Sequence, residues 1–118
     1  MFSLRRLIKS FRFALNGLFY AWRHEQSFRL QVLAAVLVLI AALWVRLSNV
    51  RFIVLSLLIT LVLVLELMNT FFEKLVDLLS PRVHHYVAML KDLLAATVTV
   101  AAIGAVIAGL LIFWPYFY

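Results

Sequence analysis

The chain has 118 residues, of which 67% are hydrophobic, and it carries a formal net charge of +6 with no cysteine. A soluble domain of this size would need far more polar surface, and without cysteine there is no disulfide framework and no thiolate chemistry. The basic residues flank long apolar runs, so their charge indicates anionic lipid of the inner leaflet, rather than nucleic acid, as the partner. The composition therefore predicts one small unit embedded in a membrane.

Residues 1–27 predict an amphipathic helix that lies on the membrane surface. Apolar residues recur at helical spacing from Leu4 to Trp22, and the cations fall on the other side. This interleaving differs from a signal peptide, which has a separate basic region and a continuous apolar core. The cations anchor the helix among lipid headgroups, and a role in binding nucleotide phosphates remains the alternative. They are Arg5, Arg6, Lys9 and Arg12.

Three apolar segments long enough to cross a bilayer follow, at about 28–46, 52–72 and 87–114, and the second continues as a helix to about 79. Pro81 is expected to break the helix between the last two. Six Lys and Arg residues precede or enter the first segment, three lie in 73–91 and two in the 46–51 turn. This asymmetry predicts a cytoplasmic N-terminus and an outside C-terminus. The chain is thus expected to be a single-domain, all-α integral membrane protein.

A stripe of polar residues occupies the end of the second segment. At about 100° per residue, its members fall within an arc of roughly 100° on one helical face. An ionised carboxylate in a membrane span costs on the order of a few kcal/mol unless it faces water, a partner or a metal. The stripe therefore predicts a functional site. Its members are Glu66, Asn69, Thr70, Glu73 and Asp77.

The five acids of the chain come from three predicted helices, yet all are expected near the cytoplasmic surface. One alternative is that they are helix-end charges paired with Lys74, Lys91 and the N-terminal arginines. For Glu25 alone, the alternative is a local ion pair with Arg29. The acids are Glu25, Glu66, Glu73, Asp77 and Asp92.

Phosphoryl transfer is the chemistry that suits such a cluster. Carboxylates can hold Mg²⁺ together with nucleotide phosphates, and a further carboxylate can accept the proton of an attacking hydroxyl. The only glycines are Gly17, Gly104 and Gly109, so neither a Walker A loop nor a kinase glycine-rich loop can be built. A metal site at His84-His85 is less favoured than ordinary loop polarity, because adjacent side chains diverge on a helix.

The spacing of these residues resembles the signature of the small prokaryotic diacylglycerol kinase and undecaprenol kinase family. The resemblance extends from the N-terminal helix to Phe113, and all five acids fall on it. The residues that carry it are Glu25, Phe28, Arg29, Glu66, Asn69, Thr70, Glu73, Asp77, Lys91 and Asp92.

This resemblance implies a helical-bundle homotrimer in the inner membrane of a prokaryote, with active sites between protomers near the cytoplasmic face. It implies an ATP-dependent lipid kinase that phosphorylates diacylglycerol or undecaprenol. By match of position, Glu66 would be the general base, and Glu25 and Glu73 would hold Mg²⁺.

The other matched positions imply nucleotide and lipid contacts. Departures from the proteobacterial branch are Phe13 for tyrosine and Ala95 for serine, and Phe71-Phe72 replace smaller residues of the family. A non-enzymatic trimeric membrane protein or a cation pathway is the alternative, but Lys91 favours the kinase because a triphosphate requires a cation. The nucleotide would contact Asn69, Asp77, Lys91, Asp92, Arg6 and Phe13. The lipid substrate would contact Phe28, Arg29, Thr70 and Ala95.

Overall fold

The computed structural model describes residues 3–79 and 86–117. Within this part of the chain the regular elements are all helical, which confirms the all-α prediction. The expected break at Pro81 and the His84-His85 pair lie outside the described residues. The elements are α1 (Leu4–His24), α2 (Gln26–Val45), α3 (Asn49–Phe113) and a 3-10 turn (Trp114–Tyr116).

Three segments are long and apolar enough to cross a membrane: Gln26–Val45, Asn49–Leu79 and Tyr86–Tyr116. We call them the first, second and third spans. The first span coincides with α2, and α3 carries the second span and nearly all of the third. This arrangement confirms the prediction of a multi-pass membrane protein.

A sharp turn joins α1 to α2, and we call residues 20–29 the corner. Only Glu25 separates the two helices, in an extended conformation (φ −116°, ψ 103°). The guanidinium of Arg29 donates hydrogen bonds to the carbonyls of Trp22 and Arg23, at 3.0 and 3.2 Å. A cation at the end of a helix satisfies carbonyls that lack helical partners. Arg29 therefore holds α2 against the end of α1.

The first span ends at Val45, and the next residue, Arg46, adopts the left-handed conformation (φ 56°) that caps the helix. The amide of Leu47 donates to the carbonyl of Ala42 at 3.2 Å, closing the last turn of the helix. Ser48 then caps α3, because its hydroxyl oxygen accepts a hydrogen bond from the amide of Arg51 at 3.4 Å. Three residues, Arg46 to Ser48, are thus enough to connect the two helices.

The second and third spans run back along each other. A straight 65-residue helix would be about 97 Å long, whereas the longest dimension of the structure is 56 Å. Arg51 donates to the carbonyls of Leu111 (3.4 Å) and Ile112 (2.8 Å), and the Ser48 amide donates to the Tyr116 hydroxyl (3.2 Å). We call these five residues the clamp. It joins the start of α3 to its end.

Most apolar side chains of the single chain are exposed, and its core is small. Beside the clamp, Ala42, Leu55 and Ile112 pack into one cluster. At the other end of the second span, Glu66 and Thr70 are the buried polar residues of the described part of the chain. Large exposed apolar surfaces are typical of contact with lipid or another protein. The buried hydrophobic residues are Ala21, Phe28, Ala42, Leu55, Val62, Val76 and Ile112.

Candidate functional site

Glu66 is the most deeply buried acid, with 3% of its surface exposed. Acids are almost never buried to this extent without a partner. The hydroxyl of Ser27 donates a hydrogen bond to Glu66 Oε1 at 2.8 Å. Thr70 is also buried, but its hydroxyl donates to the backbone carbonyl of Glu66 at 3.1 Å and does not reach the carboxylate. Among the described residues, no hydrogen bond joins Glu66 Oε2.

One turn further along, Asn69 holds Glu73. The amide nitrogen Nδ2 of Asn69 donates to Glu73 Oε1 at 3.3 Å. The other amide atom, Oδ1, is buried and has no hydrogen-bond partner within the described residues. A buried acceptor without a partner costs about 1–3 kcal/mol. Asn69 Oδ1 therefore fits a donor or a cation supplied from outside this chain.

The corner brings Glu25 to the second span. Lys74 Nζ lies 4.0 Å from Glu25 Oε1 and 5.7 Å from the centre of the Tyr20 ring, which stacks on His24. Lys74 directly follows Glu73 on the second span. Because Ser27 also reaches Glu66, two contacts attach the corner to this helix. Carboxylates from two elements are thereby collected in one region.

A second ion pair joins the second and third spans. Lys91 Nζ lies 2.6 Å from Asp77 Oδ1, and the two side chains are about half exposed. Asp92 is exposed beside Lys91. This ion pair joins the third span to the polar stripe of the second span.

The alternative of simple ion pairs accounts for only part of the acids. Glu25 and Asp77 face Lys74 and Lys91, as that alternative expects. Glu66 and Glu73 instead face neutral side chains. The local pair of Glu25 with Arg29 is wrong, because the Arg29 guanidinium donates to carbonyls of α1.

The other predicted site residues divide into two groups. Phe28 is buried at the corner. Arg6 and Phe13 are exposed on α1, roughly 27 and 16 Å along the helix axis from its end. Asp92 and Ala95 are exposed on the third span. The single chain thus gathers the residues of the corner and of the stripe, but leaves these four on open surfaces.

No group of three or more His, Asp or Glu side chains in the described residues is arranged to hold a metal ion by itself. Mg²⁺ is commonly bound by one or two carboxylates together with substrate phosphates.

Ser27 was not among the predicted site residues. Its hydroxyl lies in the first turn of α2, two residues after Glu25, and its partner is 39 positions away. The one available signal was a small hydroxyl residue between an acid and a membrane span. Tyr20, which contacts Lys74, was also missed.

Comparison with known protein families identifies the family of this chain. The family model for prokaryotic diacylglycerol kinase matches residues 12–113, which is most of the chain. The chain belongs to the prokaryotic diacylglycerol kinase family. The match includes the corner, the acidic stripe and the Lys91-Asp92 pair, and leaves out Arg6.

Individual members of this family are similar over nearly the whole chain. A diacylglycerol kinase of Synechocystis is 40% identical over 104 residues, covering 87% of this chain but 59% of the relative's own length. An undecaprenol kinase of Bacillus subtilis is 39% identical over 113 residues, covering 96% and 92%. A diacylglycerol kinase of Escherichia coli is 30% identical over 112 residues, covering 95% and 92%. Relatives of nearly equal identity are thus named for different lipid alcohols.

Proposed function

We propose that this protein is an ATP-dependent lipid kinase that transfers the γ-phosphate to the hydroxyl of a membrane lipid alcohol. The acceptor is undecaprenol or diacylglycerol, and the product is undecaprenyl phosphate or phosphatidic acid. One observation carries the proposal: Glu66 is buried in a membrane span, with one oxygen bound by Ser27 and the other without a partner in the described residues. Family membership and relatives named for both acceptors support it.

Glu66 acts as the general base in this proposal. Its free oxygen accepts the proton of the lipid hydroxyl, while the hydroxyl oxygen bonds to the γ-phosphorus. The bond between that phosphorus and the oxygen bridging to the β-phosphate breaks, and ADP leaves. Phosphoryl transfer depends mainly on positioning and on neutralising charge. A carboxylate within a span suits a hydroxyl that cannot leave the membrane.

Glu25 and Glu73 would hold Mg²⁺, and Asn69, predicted from the sequence to contact the nucleotide, would add its side-chain oxygen to them. Their donors are carboxylate and amide oxygens, the hard ligands that Mg²⁺ prefers. The unpartnered Asn69 Oδ1 next to Glu73 supports this assignment, because a cation would satisfy that buried acceptor. When bound, Mg²⁺ would neutralise phosphate charge. Lys91 provides a further positive charge for the phosphates, and Asp77 holds its ammonium group.

We further propose a homotrimer whose sites lie between protomers. Arg6, Phe13, Asp92 and Ala95, predicted to bind nucleotide or lipid, are exposed in the single chain, so a neighbouring copy would have access to them. A β-carbon added at Gly104 or Gly109 would meet nothing within 4 Å. Small residues facing open space allow another helix to approach closely.

The proposed location is the cytoplasmic membrane of a prokaryote. The excess of Lys and Arg at the N-terminus and in 73–91 supports a cytoplasmic N-terminus and active site, with the C-terminus outside. Helix α1 would lie on the cytoplasmic surface. Its large apolar side chains, including Leu4, Phe11 and Phe19, are exposed and would enter the lipid layer.

Transfer of labelled γ-phosphate from Mg-ATP by the purified protein in mixed micelles tests this proposal. Diacylglycerol and undecaprenol are offered side by side, and labelled lipid is separated from nucleotide. Turnover of either acceptor supports the kinase and identifies its substrate. Failure to bind Mg-ATP and to phosphorylate either lipid would contradict it and favour the ion-coordinating alternative.

A further inference from the structure

We infer that Ser27 is a positioning residue for Glu66: its hydroxyl fixes one carboxylate oxygen so that the other meets the lipid hydroxyl. The inference rests on the proposed function and adds a residue to its machinery. It is carried by the 2.8 Å hydrogen bond from Ser27 Oγ to Glu66 Oε1.

The corner holds Ser27 in place without help from Glu66. Phe28, the next residue, is buried with 5% of its surface exposed. Arg29 donates to two carbonyls at the end of α1, and its own amide donates to the carbonyl of Glu25 at 3.2 Å. Ser27 thus sits in a helical turn anchored on both sides. Its hydroxyl is presented to the second span from a fixed point.

Glu66 depends on this hydroxyl for its orientation. A glutamate side chain has three rotatable bonds, and its last torsion is broad. In the described residues, the Ser27 hydroxyl is the hydrogen-bond donor to this carboxylate. Thr70 lies one turn away but uses its hydroxyl on the backbone. Without Ser27, the buried carboxylate would lose its donor and could rotate away from the acceptor.

The same corner carries Glu25, two residues before Ser27. A displacement of the corner would therefore move a proposed Mg²⁺ ligand and the partner of the proposed base together. Ser27 links the two parts of the site through the backbone. Its loss would disturb the base while leaving the ligands for Mg-ATP in place.

The test compares Ser27→Ala with Ser27→Thr, which keeps a hydroxyl. We expect Ser27→Ala to lower kcat about tenfold to a hundredfold, as a misplaced reacting group does. The KM for Mg-ATP should stay within about twofold of the parent value, because no nucleotide ligand is lost. Ser27→Thr should recover most of kcat. The matched control is Ser56→Ala, since the Ser56 hydroxyl donates to the Phe52 carbonyl within its own helix.

All rates are divided by the concentration of folded protein. The folded protein is the fraction that elutes as a single species in detergent. If Ser27→Ala does not fold, Ser27→Cys replaces it, because a thiol keeps the shape and is only a weak donor. An alanine or cysteine variant with kcat within about twofold of the parent would overturn the inference, as would an equal loss in Ser27→Thr. Failure of the parent itself to phosphorylate any lipid alcohol would instead refute the proposed function.

Discussion

The two ends of the helical bundle use their polar groups differently. At the clamp, Arg51 donates to the carbonyls of Leu111 and Ile112, and the Ser48 amide donates to Tyr116. We define the acidic end as Glu25, Glu66, Asn69, Glu73, Asp77, Lys91 and Asp92. There, within the described residues, the Glu66 carboxylate receives one hydrogen bond and Asn69 Oδ1 receives none. The clamp joins helices, whereas the acidic end keeps acceptors for something the chain does not supply.

The distribution of charge gives the same contrast. All five acids of the chain belong to the acidic end, and none lies near the clamp. Polar groups that serve only the fold are normally paired, because unpaired buried groups cost stability. Proteins retain unpaired buried polar groups, despite the loss of stability, mainly at functional sites. Variants at the two ends should therefore affect different measurements.

Glu66→Gln should have the largest effect. The substitution keeps the shape and removes the base, so kcat should fall by about a thousandfold or more, within the range for general-base catalysis. Binding of Mg-ATP, followed by a fluorescent nucleotide, should stay close to that of the parent, because Glu66 is not a proposed metal ligand. A variant with near-normal kcat would remove Glu66 from this role.

Glu73→Gln should weaken the binding of Mg²⁺. Loss of the carboxylate should raise the Mg²⁺ concentration for half-maximal activity by about tenfold to a hundredfold. Activity is measured against Mg²⁺ at saturating ATP, with the same titration of the parent as reference. An unchanged titration would exclude Glu73 from the metal site and leave its contact with Asn69 as a structural one.

Arg51→Met tests the clamp. The variant keeps much of the side chain's length but loses the hydrogen bonds to two carbonyls, so the free energy of unfolding should fall by about 2 kcal/mol. Thermal unfolding in detergent measures this change. The kcat of the folded fraction should stay near the parent value. Loss of kcat without a loss of stability would contradict the division between the two ends.

The ion pair of Asp77 with Lys91 should contribute least to stability. Both side chains are about half exposed, so their coupling in a double-mutant cycle of Asp77→Asn and Lys91→Met should be about 0.2–1 kcal/mol. Salt should weaken it further. Unfolding of the four proteins at low and high salt measures both effects. A coupling above about 2 kcal/mol, insensitive to salt, would show that the pair is a buried structural link instead.

Local patterns made the spans and the acidic stripe predictable. Hydropathy depends only on consecutive residues, and the stripe from Glu66 to Asp77 follows from helical geometry. Contacts between helices could not be predicted from these local patterns. Ser27 meets Glu66 across 39 positions and Arg51 meets Ile112 across 61, and both contacts depend on how packed helices are rotated.

The wrong pairing of Glu25 with Arg29 has a physical cause. That pairing requires one helix through both residues, in which side chains four positions apart are neighbours. In the structure Glu25 is extended between two helices, so its side chain turns to Lys74 on the second span. Arg29 is then free to close the end of α1. The extended conformation of Glu25 therefore explains why neither Glu25 nor Arg29 has the other as its partner.

The most direct test of the account is a single-turnover measurement on two variants, Glu66→Gln and Arg51→Met. Labelled γ-phosphate is transferred to the acceptor lipid at saturating Mg-ATP, with both proteins matched for folded fraction. We expect Arg51→Met to transfer phosphate at nearly the parent rate, whereas Glu66→Gln should bind Mg-ATP but transfer almost none. Equal rates in the two variants would contradict the assignment of catalysis to the acidic end.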